Sequence, residues 1–121
     1  MTDSAPTARP PFKITPIVLH VLLALSDGDT HGYAIMGEIT QRTRGGVKVG
    51  PGSLYYTLGR LLDAGLIEDS PGRTGGPGDS RRRNYRLTDA GLALLESELA
   101  VMSEIVEHAR AKRILSGPSP A

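Results

Sequence analysis

The sequence predicts a mainly α fold with a small β-hairpin and one long last helix. Three observations predict it. Apolar residues recur at helical spacing in four separate stretches. Two short runs rich in alternating residues flank a Gly- and Arg-rich loop between the third and fourth stretches. The last stretch continues for about 27 residues without a breaker. A length of 121 residues favours one domain.

The first helix is read over about residues 16–26, from "TPIVLHVLLAL". Thr15 is a good N-cap and Pro16 suits the first helical position. Val18, Val21, Leu22 and Leu25 follow at helical spacing. His20, set among these apolar residues, reads as a packed histidine rather than a ligand. The second helix is read from "THGYAIMGEITQRTRGG", with Thr30 as N-cap and Gly45-Gly46 as its stop. Tyr33, Met36 and Ile39 or Thr40 mark one face. Gly32 and Gly37 lower its intrinsic stability, so packing must hold it. In the third, "VGPGSLYYTLGRLLDAG", Gly50-Pro51-Gly52 makes the turn and Ser53 is the expected N-cap. Leu54, Leu58, Leu61 and Leu62 form the core stripe, and Gly65 closes the helix.

"LIEDS" then reads as a strand, "PGRTGGPGD" as a mobile loop tip and "SRRRNYRL" as the return strand. On the return, Arg83, Tyr85 and Leu87 share one face and Arg82, Asn84 and Arg86 the other. Thr88 caps the last helix, which is expected to run to about Leu115 before Ser116-Gly117-Pro118. At 1.5 Å per residue it is roughly 40 Å long, more than a three-helix body covers. Leu92, Leu95, Leu99, Met102, Val106 and Ala109 alternate in steps of three and four, and Leu94, Val101 and Ile105 widen the seam. The simplest partner for such a seam is a second copy related by a two-fold axis.

Helix, helix, turn, helix, strand, basic loop, strand is the order of a winged helix-turn-helix, here followed by a long C-terminal dimerisation helix. The expected organisation is a disordered arm (1–12), a winged helix-turn-helix domain (13–87), the dimerisation helix (88–115) and a disordered tail (116–121). Charge follows the same plan. Residues 41–60 hold Arg42, Arg44, Lys48 and Arg60 with no acid. Residues 71–86 hold Arg73, Arg81, Arg82, Arg83 and Arg86 against Asp79 alone. Residues 87–108 hold five acids and no Lys or Arg. A basic middle on a near-neutral chain points to a polyanion.

In this architecture the helix after the turn enters the major groove of double-stranded DNA, and the wing runs along the backbone. Ser53, Tyr56, Thr57, Arg60 and Asp63 fall away from the leucines. This answers a question raised by the adjacent Tyr55 and Tyr56, which cannot both face one core: Tyr55 belongs to the packed base, with its hydroxyl in reach of a phosphate, and Tyr56 faces DNA. Arg60 is the best candidate for a phosphate or base contact. Lys48 in the turn and Ser53 at the helix start are further candidates. His31 and Tyr33 open the second helix near the backbone, although Tyr33 fits a core position equally well. Arg73 and Arg82 are the wing candidates.

No nucleophile with a base, no phosphate loop with its lysine and no carboxylate pair in an apolar setting appears, so no enzyme, cofactor or metal is expected. Cysteine is absent and the three histidines are scattered. No apolar run spans a bilayer and the N-terminus lacks a signal-peptide core, so a cytoplasmic, nucleoid-associated protein is expected. The alternative is a winged-helix module that binds a protein partner and no operator.

"HGYAIMGEI", "GPGSLYYTLGRLLDAGLIE" and "RRRNYRLTDAG" resemble the PadR family of bacterial transcription regulators. The likeness covers about residues 14–115. It implies a homodimeric winged-helix repressor on an inverted-repeat operator, with paired C-terminal helices. In some members a small aromatic or drug-like ligand releases the DNA. The single C-terminal helix resembles the family's compact branch. Tyr56 stands where the family often has proline, Leu62 where it usually has an acid, and the wing tip is unusually rich in Gly and Arg.

Overall fold

The structure, a computed structural model, describes residues 12–70 and 83–115. Their elements run α1 (Pro16–Leu25), β1 (Thr30–His31), α2 (Gly32–Arg42), α3 (Pro51–Asp63), β2 (Ile67–Ser70), β3 (Asn84–Leu87) and α4 (Asp89–Ala111). The three strands form an antiparallel sheet in the order β1-β3-β2. The expected arm, loop tip and tail lie mostly outside the described residues. Phe12, assigned to the arm, instead packs half-buried against the core.

α1 is the central helix. Thr15 Oγ1 accepts from the Val18 amide at 3.2 Å, and Pro16 occupies the first turn. Val18, Val21, Leu22, Ala24 and Leu25 are buried. α2 contributes Ile35 and Ile39, and α3 contributes Leu54, Leu58 and Leu61. Leu66, Ile67 and Tyr85 come from the hairpin, and Leu95 from α4. Burying these side chains against one another supplies the main drive to fold.

Several local expectations are corrected. Thr30 does not cap α2. It pairs with Tyr85 of β3, and His31, paired with Asn84, is the cap, its Nδ1 accepting from the Ala34 amide at 3.3 Å. Ser53 does not cap α3 either. Gly50 is the cap and Pro51 begins the helix, because proline's preset φ and missing N–H suit the first position. The apolar face of α2 is Gly32, Ile35 and Ile39, and Tyr33 lies outside it. α4 ends at Ala111 rather than near Leu115, with Arg113 at φ 61° and the Ile114 amide donating to Ala109 O. Twenty-three residues still make a helix roughly 35 Å long.

The closure of α3 matches expectation. Gly65 takes φ 75° and the Leu66 amide returns to Leu61 O at 3.0 Å. Thr88 then joins two elements, accepting from the Gly91 amide at 3.0 Å and donating to Gly65 O at 2.7 Å. The start of α4 is thereby tied to the end of α3.

Candidate nucleic-acid interface

α3 divides sharply into two faces. Leu54, Thr57, Leu58 and Leu61 are buried at positions i, i+3, i+4 and i+7. Ser53, Tyr56, Arg60 and Asp63 are exposed at i, i+3, i+7 and i+10. Thr57 was expected on the exposed face and is only 8% exposed. Its spacing from Leu54 and Leu61 puts it on the inner stripe, so it is corrected from contact to packing. Tyr56 is 68% exposed. Tyr55 is less so, and its hydroxyl lies against Gly32 at the start of α2, where a side-chain carbon would collide with it.

That contact brings the N-terminus of α2 beside α3. His31 is exposed there. With Nδ1 accepting the Ala34 amide, a neutral ring carries its hydrogen on Nε2, directed away from the cap as a free donor. Tyr33 is exposed next to it, which removes the core alternative for this residue. Lys48 projects from the segment joining α2 and α3, between the half-buried Val47 and Val49. Thr43 shapes this segment. Its hydroxyl donates to Ile39 O at 2.8 Å and accepts from the Val47 amide at 3.1 Å.

The basic segments are less free than their composition implies. Arg42 pairs with Glu38 at 3.2 Å and donates to His20 O at 3.4 Å, so it joins α2 to α1. Arg86 pairs with Glu68, its direct cross-strand partner, at 2.8 Å. Arg83 pairs with Asp69 and stacks over the Tyr85 ring at 5.5 Å. The Asp69 hydrogen bond raises the Arg83 pKa, and burial raises that of Tyr85. These pairs were missed because a segment count of charge ignores acids brought in across a sheet. The strand register could have suggested the Glu68–Arg86 pair. Arg44, Lys48 and Arg60 have no carboxylate partner among the described residues. Arg73 and Arg82 lie outside the described residues.

The α4 candidates also separate. Leu95 is 2% exposed and belongs to its own core, a correction to its assignment to the dimer seam. It sits in the first half of the helix, where α1 covers it. Leu92, Leu99, Met102 and Val106 are exposed, and Ala109 is half-buried. Val101 and Ile105 broaden the exposed apolar surface. No cluster of metal-ligating side chains occurs among the described residues, and no described helix is long and apolar enough to cross a membrane.

Comparison with known proteins places this geometry. Residues 19–97 match the model of the transcriptional regulator PadR-like family. The chain is 33% identical over 108 residues to the transcriptional regulator Rv3488 of Mycobacterium tuberculosis, covering 89% of this chain and 91% of that protein. It is 41% identical over 85 residues to an uncharacterised transposon protein of Streptomyces fradiae, but spans only 22% of that protein's length. A PadR family regulator from Clostridium difficile superposes with a TM-score of 0.62 at 25% identity, over 78% of this chain and 95% of its own. Bacillus subtilis PadR in complex with operator DNA has the same fold, with a TM-score of 0.59 at 22% identity over 86% of this chain and 50% of its own. Family match, full-length relative and shared fold agree: the chain belongs to the PadR-like family of transcriptional regulators, and is not an enzyme.

Proposed function

We propose that this protein is a homodimeric, sequence-specific DNA-binding repressor of the cytoplasm, released from an inverted-repeat operator by a small aromatic or drug-like ligand. The observation that carries the DNA-binding reading is the exposed row of Ser53, Tyr56 and Arg60 on a helix whose opposite side is buried. α3 enters the major groove, with the amides of its first turn facing a phosphate. His31 Nε2, the Tyr33 and Tyr55 hydroxyls and Lys48 contact the flanking backbone, and Arg73 and Arg82 extend the contact along the wing. Two such units on one rigid dimer read two half-sites. Repression and ligand release are proposed by analogy with members of the family, and the B. subtilis relative bound to operator DNA supports the mode of docking.

The test is a mobility shift with a duplex from the gene's own upstream region at two salt concentrations. Affinity should fall steeply as salt rises, because each neutralised phosphate releases counterions. One observation favours the second reading, a module that binds a protein partner: the wing-root arginines Arg83 and Arg86 are already paired with carboxylates. Absence of any shift at low salt selects it.

A further inference from the structure

Arg60 lies on the outer face of α3, and its guanidinium carbon stands 5.1 Å from the centroid of the Phe12 ring. Phe12 precedes α1 by four positions and is far from Arg60 in sequence. It is held in place independently, half-buried against the periphery of the core. A flexible, exposed side chain on the candidate reading helix is thus laid over a ring that the body of the domain fixes. A guanidinium over an aromatic face uses its π surface for that contact. Its N–H donors lie in the guanidinium plane and remain available at the edge.

We propose that Phe12 is a positioning residue for DNA binding: it holds Arg60 in one orientation, with the N–H edge presented to a phosphate or to guanine O6 and N7. This rests on the DNA-binding reading above. An unsupported arginine must lose side-chain freedom on binding, and a stacked one has lost much of it beforehand. Arginine is required, since a lysine ammonium has charge but no planar fork. The ring does not contact DNA itself, so its removal leaves the number of phosphates neutralised unchanged.

The experiment measures binding of the full chain to a duplex from its own upstream region across a salt series. Phe12→Leu keeps an apolar side chain on the core and removes the ring. It should weaken binding about two- to fivefold with an unchanged salt slope. Phe12→Tyr should bind as the wild type does, and Phe12→Leu should have no further effect when Arg60 is already alanine. Wild-type affinity for Phe12→Leu, or an equal loss in the Arg60→Ala background, overturns the inference and leaves the DNA-binding reading standing. A wild-type protein that shifts no DNA at any salt overturns both. A readout independent of DNA and of variant folding is the Arg60 Nε–H resonance in the free wild-type protein. Ring current should displace it from the arginines that face no ring, Arg83 over Tyr85 being set aside, and an undisplaced resonance overturns the inference.

Discussion

His20 faces α2 from the middle of α1, and its Nδ1 is buried without a hydrogen-bond partner among the described residues. Desolvation, and then the neighbouring Arg42 charge, hold its pKa below the ordinary histidine value of 6.5. The unfolded chain therefore binds the proton more readily than the folded one between those two values. Stability is full above about pH 6.5 and falls as pH drops towards the folded value. Equilibrium denaturation from pH 7.5 to 5 should show this slope, and His20→Gln should reduce it. On α3, Arg60→Ala and Tyr56→Ala should weaken DNA binding while changing stability by about 0.5 kcal/mol or less. A sharply lowered melting temperature for either would place it in the core and contradict its exposure. Thr57 is the contrasting case. It is buried with Leu54 and Leu58 on the inner stripe, so substitution there tests packing rather than contact.

At the scale of elements, the junctions decide most. Gly91 lets the first turn of α4 sit against the backbone of Leu66, and a Cβ there would overlap the Leu66 carbonyl. Gly91→Ala should therefore cost about 1–3 kcal/mol in denaturant unfolding, since neither the helix nor the turn can yield cheaply. Gly32→Ala meets only the end of the Tyr55 side chain, which can swing away. It should cost about 1 kcal/mol or less. The wing root offers a second test. Glu68 and Asp69 hold Arg86 and Arg83 on the sheet, in competition with any phosphate. Replacing both acids with their amides should strengthen binding to duplexes of any sequence. It should also steepen the salt dependence by about one unit for each arginine newly placed on a phosphate. An unchanged salt slope would mean that neither arginine reaches the backbone.

For the whole molecule, the issue is what covers the distal half of α4. Leu95 is packed within its own domain, while Leu99, Val101, Met102, Ile105 and Val106 remain exposed. A contiguous apolar surface of this kind marks an interface. In the proposed dimer, pairing of α4 with its counterpart in a second copy would bury this surface and set two α3 helices on one rigid body. Leu99→Asp with Met102→Asp should give monomers by sedimentation and weaken operator binding, because the second half-site is then no longer engaged at high effective concentration. A dimer that survives the double change would place the interface elsewhere.

Much of this was legible in the residues themselves. Thr15-Pro16, Gly65 and Thr88 announce helix ends because capping is local chemistry, satisfied within a few residues. The leucine period of α3 identified its buried side and hence the exposure of Tyr56 and Arg60. Order and spacing of the motifs were enough to suggest the family. β1 was invisible, since two residues carry no periodicity and exist as a strand only through pairing with β3. The same pairing moved the cap of α2 from Thr30 to His31. Leu95 and the distal seam residues share one heptad pattern. Only the reach of the body along α4 separates core from surface. Local sequence determined where α1 and α4 begin, where α3 ends and which side of α3 carries the leucines. Contacts between residues distant in sequence decided which charges are paired, which apolar residues remain uncovered, and that Phe12 lies beneath Arg60.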